Sequence, residues 1–565
     1  MSNAINDVGD EEKGNEQPLV KDIIKDKAQV EEESQSRTKL FMLYGATVGG
    51  MLLVVIIVFI ISLKVGGSSK DTEDSGSIIA VYLEENITMK LISPNYKDYI
   101  SYMVVDGKKE NFADNYTFKT NKEHVVEFKF SKKLDTMEKM FKHIPKLKYV
   151  NLTDLKNIED ISMAKMFYGC TNLKEIVFGN STKNVRNMSH LFDGCVFLKQ
   201  EKIHDLNTSN VIDMNYMFKK CNLESFNLEK IDTQNVETMK GFLSETHIKG
   251  IKFPKNFAPN LTDLSEMFKG CTAFTDFDTE NLDTSKITNI SGLFSDCIYL
   301  SSVDLSKLNT ENVKDMSYLF NGCTNLITLN LEGLDTSKVE SMEYMFGTCT
   351  TLSSLDLRNF DTREVKNMKY MFYRLTNVKS LDLSKFRTNN AKTMEGMFDY
   401  CLSLSALDLS QFDTSNVEDM SYMFAASNKL LGINLRNFNT KKVESMYNMF
   451  YGCSRLGEMD VSGFSADNLR NMAGMFYGCK NLTLINLNNF KTDKVEKMDQ
   501  AFAYCSRLEN LEIREFNTKL IDKNTFIFTE INEEGTIVYD SNKFDDAFFR
   551  KTNIENWEKE DVSKK

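Results

Sequence analysis

The chain has 565 residues and a formal net charge of −12, with its acidic residues spread along the whole length. This length excludes one compact core, so the sequence predicts several domains or an elongated repeat fold. The acidic balance argues against an electrostatic nucleic-acid binder, which needs a basic face.

The first 63 residues predict a polar tail followed by a membrane span. Residues 1–40 are acidic and lack hydrophobic periodicity, which predicts a disordered tail. Residues 41–63 are apolar and carry no charge. At about 1.5 Å per residue they extend roughly 35 Å, enough for one transmembrane helix, with a buried core helix as the alternative.

The residues around and within the span predict its orientation and a contact. Basic residues are more frequent before it than after it: Lys21, Lys25, Lys27, Arg37 and Lys39 against Lys64 and Lys70. Because cytoplasmic flanks are rich in Lys and Arg, we expect a cytoplasmic N-terminus and extracellular or luminal repeats. Gly45 and Gly49 have the spacing of closely packed helix pairs, which predicts a homodimer unless these glycines merely reflect membrane-helix composition.

Three further segments are distinguished by composition. Residues 64–77 are rich in Gly, Ser and Asp and predict a flexible linker. Residues 78–132 contain short β-forming runs and the hairpin signal Asp106-Gly107, which predict a small all-β domain. Residues 521–565 include the only tryptophan, Trp557, and predict a C-terminal cap for the repeats.

A 26-residue repeat fills residues 133–520. Methionines show the step: Met316, Met342, Met368, Met394, Met420, Met446, Met472 and Met498. A fixed period of this length is typical of a solenoid, in which stacked coils together bury the apolar face that one coil exposes. We expect about fourteen coils over this range.

Each coil predicts a strand, a turn and a helix. Leu355-Asp356-Leu357 alternates apolar and polar side chains, as a short strand does. The turn 359–362 follows, and the apolar residues between Val365 and Leu375 then recur with the spacing of one helix face. The predicted fold class is therefore α/β: a leucine-rich-repeat solenoid of strand–turn–helix coils, preceded by a small all-β domain and a single transmembrane helix.

The repeat unit resembles the BspA-type leucine-rich repeats. The stretch Leu407-Asp-Leu-Ser-Gln-Phe-Asp-Thr-Ser-Asn-Val-Glu-Asp-Met-Ser-Tyr-Met-Phe424 shows the likeness best, and it covers roughly residues 140–520. It is most similar to the variant found in mycoplasma lipoproteins and in other bacteria and protists. The resemblance implies a surface-displayed adhesion or binding protein. This sequence differs from such proteins in its predicted anchor. It has a predicted N-terminal membrane span in place of a lipoprotein cysteine or a C-terminal wall-sorting signal.

The eleven cysteines share one position of the repeat. Leu375 fills that position in one coil, so it accepts a buried side chain, and a free cysteine behaves as a small hydrophobe. Disulfides between adjacent coils are the alternative. The odd total and the lack of any Cys-x-x-Cys pair argue against complete pairing and against a zinc cluster, so no metal site is predicted.

The candidate binding site is a polar column along the strand face. Its members occupy the same strand position in successive coils: Asp278, Asp304, Asn330, Asp356, Asp382, Asp408, Asn434, Asp460 and Asn486. Like charges opposite each other are destabilising. Three interpretations stay open: a solvated Asp/Asn ladder relieved by nearby arginines, Ca²⁺ ions bridging carboxylates, or a basic or carbohydrate ligand along the face.

Two further sets of residues suggest surface functions. A second column precedes the Met-Phe pair and predicts either a recognition surface or packed, partly buried rings: Tyr216, Tyr318, Tyr344, Tyr370 and Tyr422. In a eukaryotic secretory context N-x-S/T sequons predict glycosylation at Asn86, Asn115, Asn151, Asn180, Asn187, Asn207, Asn260, Asn289 and Asn481.

The sequence contains no recognised catalytic pattern, so it predicts no enzyme and no cofactor. It predicts a single-pass membrane-anchored surface protein whose repeats bind an extracellular protein or glycan partner. The first alternative is a structural coat or matrix protein that assembles laterally through its solenoid. The second is a receptor that signals through its acidic tail.

Overall fold

The computed structural model describes residues 75–83, 87–156, 162–522, 525–549 and 553–564. The predicted tail, the predicted span at 41–63 with Gly45 and Gly49, and most of the predicted linker lie outside the described residues. Within the described ranges no helix is long and apolar enough to cross a membrane. On this finding we correct the predicted localisation as a single-pass membrane protein and the single transmembrane helix of the predicted fold class, and neither is carried further.

Short strands make up nearly all the regular structure of the described ranges. They are β1 (Ser77–Tyr82), β2 (Thr88–Lys90), β3 (Ile100–Val105), β4 (Lys108–Glu110), β5 (Asn115–Thr117), β6 (His124–Phe130), β7 (Leu147–Asn151), β8 (Glu175–Val177), β9 (Ile203–His204), β10 (Gly250–Ile251), β11 (Asp276–Phe277), β12 (Ser302–Asp304), β13 (Thr328–Asn330), β14 (Gly432–Ile433), β15 (Glu458–Met459), β16 (Leu484–Asn486), β17 (Asn510–Glu512), β18 (Thr536–Tyr539) and β19 (Glu558–Asp561). The helices among the described residues are single 3-10 turns: Pro94–Tyr96, Gln200–Lys202, Leu228–Lys230, Asp546–Phe549, Asn553–Asn556 and Val562–Lys564.

An antiparallel layer covers the first coil. The sheet order is β4-β3-β6-β1-β7-β8-β9, in which β1 pairs antiparallel with both β6 and β7. From β7 onward the pairing is parallel, as it is between stacked coils. The rings of Phe128 and Phe141 lie 6.4 Å apart across this junction. The layer thereby closes the strand edge that a solenoid otherwise leaves open.

The coils stack in parallel at the predicted step of 26 residues. In β12 and β13, Val303 lies opposite Leu329, and in β16 and β17, Ile485 lies opposite Leu511. The sheet of β16 and β17 continues through β18 and β19 to the C-terminal end. The described part of the chain is thus a β-solenoid of about 15 turns.

The predicted helix of each coil is wrong. Met342 N–H donates to Asn367 O of the next coil at 2.9 Å, whereas Met345 N–H donates back to Met342 O at 3.1 Å. Between them Tyr344 lies in the left-handed region with a φ of 50°, which a right-handed helix does not contain. The predicted strand–turn–helix coil is therefore corrected to a coil of strand and turns, without an α-helix in any described residue.

A ladder of β-bridges takes the place of the predicted helix start. Asp315 is one member, and its side chain accepts the N–H of Ser317 at 2.9 Å. Such a residue also caps helices, so the local sequence fits both structures. Bridges to the neighbouring coil decide between them, and they join Ser162, Asn187, Asp213, Thr238, Asp263, Asn289, Asp315, Ser341, Asn367, Thr393, Asp419, Ser445, Asn471 and Lys497 in sequence.

Columns of identical side chains form the core. The rings of Phe346 and Phe372 lie 6.0 Å apart and almost parallel, and those of Phe398 and Phe424 lie 5.7 Å apart in the same way. The eight methionines that mark the repeat are all fully buried. Neighbouring coils thus bury the apolar surface that any single coil would expose.

All eleven cysteines are buried and free, which confirms the thiol interpretation over the disulfide alternative. Each thiol also donates a hydrogen bond to a carbonyl of the preceding coil, as Cys349 Sγ does to Phe320 O at 3.1 Å. Ser427 fills the same repeat position and donates to Phe398 O at 2.7 Å. The position therefore favours a small side chain that can donate, a preference that burial alone does not explain.

A column of buried threonines joins the coils at the turn after the strand. Thr362 Oγ1 donates to Arg387 O at 2.9 Å and accepts the N–H of the same residue at 2.8 Å. Thr336 makes the same pair of bonds with Asp361, one coil earlier. The hydroxyl therefore takes the place of a backbone group in bonding the next coil.

Candidate recognition surfaces

The strand-face column is positioned by Asx turns. In every one of its nine predicted members the side-chain Oδ1 accepts the backbone N–H of the residue two positions further, at 2.9–3.2 Å. An Asp and an Asn can both make this bond, which closes the turn after the strand. The occurrence of both Asp and Asn in this column, and of no other residue type among its nine members, is consistent with this requirement.

Hydrogen bonds and arginines relieve the charge of the column. Arg358 binds Asp356 at 2.6 Å and holds the pKa of that carboxyl at about 2. Arg436 reaches Asp460 of the next coil at 2.9 Å, and the pKa of Asp460 is lowered, chiefly by its bond with Ser462. Hydrogen bonds from the turn residues likewise lower the pKa values of Asp304, Asp382 and Asp408.

Part of the column lines a groove of about 670 Å³ on the strand face. Asp304, Asn330 and Asp356 contribute to its lining, together with Glu332 and Arg358. The other six predicted residues are distributed along the solenoid outside this groove. No three His, Cys, Asp or Glu side chains come together as a metal site within the described ranges, so the calcium interpretation gains no support.

The predicted tyrosine column forms a stack on another face of the coil. The rings of Tyr318 and Tyr344 lie 5.2 Å apart, and those of Tyr344 and Tyr370 lie 4.8 Å apart, all nearly parallel. The stack ends at Gly396, whose φ is +58° and where the ring of Tyr370 leaves no room for a Cβ. Burial raises the pKa of Tyr344 to about 12, so its phenol stays neutral.

The remaining two predicted tyrosines lie apart from this stack. Tyr216 stacks on His190 at 4.8 Å and donates its hydroxyl to Glu266 at 3.0 Å. Tyr422 packs perpendicular to Tyr447 at 5.1 Å. The structure therefore brings three of the five predicted tyrosines together.

Sequence reasoning missed three neighbours of the stack. Tyr373 packs edge-on against both Tyr344 and Tyr370. The guanidinium of Arg374 lies 5.3 Å from the ring centre of Tyr373 and 5.0 Å from that of Tyr400. We call the three stacked tyrosines and these three neighbours, six residues in all, the tyrosine–arginine patch. The signal for it was a departure from the repeat, since other coils carry Gly322 or Thr348 where this patch has Arg374.

Asp399 lies beside the patch and is only 6% exposed. Its Oδ1 has no hydrogen-bond partner among the described residues. Burial raises the pKa of this carboxyl to about 7, and the backbone N–H of Tyr400 and the charge of Arg374 offset the rise only in part. Asp399 lies outside the strand column, in a repeat position that holds Asn321, Gly347 and Ala425 in other coils.

The predicted sequons divide by exposure. Asn86 lies outside the described residues. Four are exposed, namely Asn115, Asn180, Asn207 and Asn260, and four are partly buried, namely Asn151, Asn187, Asn289 and Asn481. Asn187 and Asn289 belong to the bridge ladder, and their side chains accept the N–H groups of Ser189 and Ser291. Glycosylation at these positions stays a prediction.

The parallel coils, stacked ring columns and bridge ladder define the class of protein: a repeat solenoid. The chain belongs to the family described as "Mycoplasma protein of unknown function, DUF285", whose model matches residues 135–252, 262–381, 353–455 and 429–537, more than half of the chain. No curated protein gives a match. The family description names no activity.

Three solved structures show some likeness to this chain. A leucine-rich repeat protein from Eubacterium ventriosum is 14% identical, with 62% of this chain and 81% of that chain covered and a TM-score of 0.33. A leucine rich cell surface protein from Faecalibacterium prausnitzii is 13% identical, with 75% and 92% covered and a TM-score of 0.23. The functional domain of InlJ from Listeria monocytogenes is 14% identical, with 69% and 68% covered and a TM-score of 0.20. At these TM-scores the likenesses carry no weight for the function of this chain.

Proposed function

We propose that this chain is a BspA-like recognition protein whose solenoid binds a protein or glycan partner and catalyses no reaction. The observation that supports the proposal most is the tyrosine–arginine patch. Tyr400 is 40% exposed and Tyr318, at the start of the stack, is 38% exposed. Aromatic residues and arginine are enriched in the buried centres of protein interfaces, where they contribute most of the binding energy.

The strand-face column supports recognition less strongly than the patch does. Its side-chain oxygens already accept backbone N–H groups, and Asp356 and Asp460 are paired with arginines. A ligand on that face would have to compete with these bonds. In the patch, by contrast, the guanidinium of Arg374 lies over the rings of Tyr373 and Tyr400 and forms no ion pair with a described residue.

The test uses substitutions that other coils already carry in the same repeat position. Tyr373→Asn copies Asn321, and Tyr400→Gly copies Gly322 or Gly452, so the fold should be retained. Purified wild type is applied to arrays of extracellular proteins and of glycans. We expect at least one saturable partner, bound at least tenfold more weakly by the double variant.

Tyr299→Asn provides the matched control, because Tyr299 is 60% exposed outside the patch and Asn325 occupies its position one coil later. The control should keep wild-type affinity. Absence of any partner on both arrays would contradict the proposal. If the purified chain instead assembled with rising concentration, and the double variant did not, the structural coat or matrix alternative would replace it.

A further inference from the structure

Arg374 is the cation of the patch whose charge is not compensated at the surface. It forms no ion pair with any described residue, whereas Arg358, Arg363 and Arg436 each bind an aspartate at 2.6–2.9 Å. Its guanidinium lies against the ring of Tyr373 in the same coil and the ring of Tyr400 in the next coil. Its planar group is thus positioned before any ligand arrives, which lowers the entropy cost of binding.

The acidic groups around the patch are already occupied or buried. Glu395 pairs with Lys369 at 2.6 Å. Glu343 accepts the hydroxyl of Tyr318 at 2.7 Å and the amide of Asn367 at 3.0 Å. Asp399 is buried below the surface and makes no ion pair with Arg374 within the described chain. Among the described residues none of these three acidic groups pairs with Arg374, so a carboxylate for it would come from a partner.

The arrangement of the rings favours a peptide over a sugar. Tyr318, Tyr344 and Tyr370 stack face to face, so most of their faces are covered and only part of their ring edges is left for a ligand. Sugar rings pack on open aromatic faces, which this stack offers little of. Ring edges carry the positive part of the aromatic quadrupole and complement carboxylate and carbonyl oxygens.

We infer that the patch binds an acidic peptide segment of a protein partner, with a carboxylate side chain held by the guanidinium of Arg374. The planar fork of arginine can donate two parallel N–H···O bonds to one carboxylate. The flanking tyrosines exclude water from this pair and contact the peptide beside it. This inference rests on the proposed recognition function and adds the chemical class of the partner.

Titration calorimetry of the full chain with an acetylated, amidated hexaglutamate peptide tests the inference. Hexaglutamine is the neutral control. Arg374→Thr copies Thr348 of the preceding coil and should weaken hexaglutamate binding at least tenfold, while Arg374→Lys keeps the charge, loses the fork and should weaken it less. Arg363→Ser copies Ser337, removes an arginine already paired with Asp361, and should leave the affinity within twofold of wild type.

Three outcomes would overturn the inference: no hexaglutamate binding, equal binding of hexaglutamine, or an equal effect of the Arg374→Thr and Arg363→Ser variants. Polygalacturonate is tested in parallel as an anionic sugar polymer. If it binds more tightly than hexaglutamate and its binding depends on Arg374, the inferred partner is a glycan and not a peptide. The array experiment separates the two proposals. If the arrays give a partner that the tyrosine double variant no longer binds, but hexaglutamate does not bind, only this inference is removed. If hexaglutamate binds but the arrays give no partner, only the proposed function is removed.

Discussion

At the scale of single residues, Asp399 sets a charge where the same repeat position elsewhere has Asn321, Gly347 or Ala425. Its carboxyl is buried with one oxygen unpartnered, and burial raises its pKa to about 7. The charge of Arg374 acts on this carboxyl. The other titratable groups that interact with it have raised pKa values and stay neutral: Tyr344, Tyr370, Tyr422, Cys401 and Cys453.

This aspartate should make the stability of the chain depend on pH. An unfolded aspartate titrates near 3.8 and the folded one near 7, so the folded state binds more protons between these values and the free energy of unfolding falls as pH rises through that window. Asp399→Asn should match wild type at pH 4 and be more stable at pH 8 by about 2–4 kcal/mol. Thermal midpoints measured from pH 4 to 8 check this, and parallel curves for both proteins would contradict it.

The sequence located the surface columns but not the reasons for them. The Asp and Asn members of the strand column lie in the same position of successive coils, and both residue types close the same Asx turn. Arg374 and Asp399 could not be singled out, because their importance depends on rings of other coils and on burial. A residue that departs from its repeat position was the one available signal.

At the scale of elements, the sequence predicted the strand and the turn and failed on the helix. Apolar residues three apart fit one face of a helix. They also fit a segment of successive three-residue turns whose backbone bonds the next coil. In that segment Met342 bonds Asn367 of the next coil, and Tyr344 is left-handed. Both features depend on the neighbouring coil, which a single repeat unit does not reveal.

The threonine column gives a test of inter-coil bonding. Thr362→Val keeps the shape of the side chain but leaves the N–H and C=O of Arg387 without their partner. Unpaired groups of this kind cost about 1–3 kcal/mol, so the thermal midpoint should fall. Thr362→Ser keeps the hydroxyl and should lose clearly less. Equal losses in the two variants would show that the methyl group, and not the hydroxyl, stabilises the turn.

At the scale of the whole molecule, the buried thiols report on the integrity of the solenoid. Burial raises the pKa of Cys401, Cys453 and Cys505 to about 12, and the thiolate is the reactive form. We expect almost no iodoacetamide labelling of the native chain at pH 8 and labelling of all eleven cysteines after denaturation. Mass spectrometry counts the adducts. Rapid native labelling at several sites would contradict the buried, hydrogen-bonded thiols described above.

The bridge ladder has a consequence for how such proteins diversify. In the bridge ladder each coil bonds the coils before and after it, and each bridge position recurs at the same place on successive coils. Duplicating a 26-residue segment of the gene would therefore lengthen the scaffold without changing its register. Arg374 occupies a repeat position that holds Gly322 and Thr348 in other coils. A single substitution can therefore change the chemistry of the surface while the backbone stays the same. Length and specificity are thus inherited separately in this architecture.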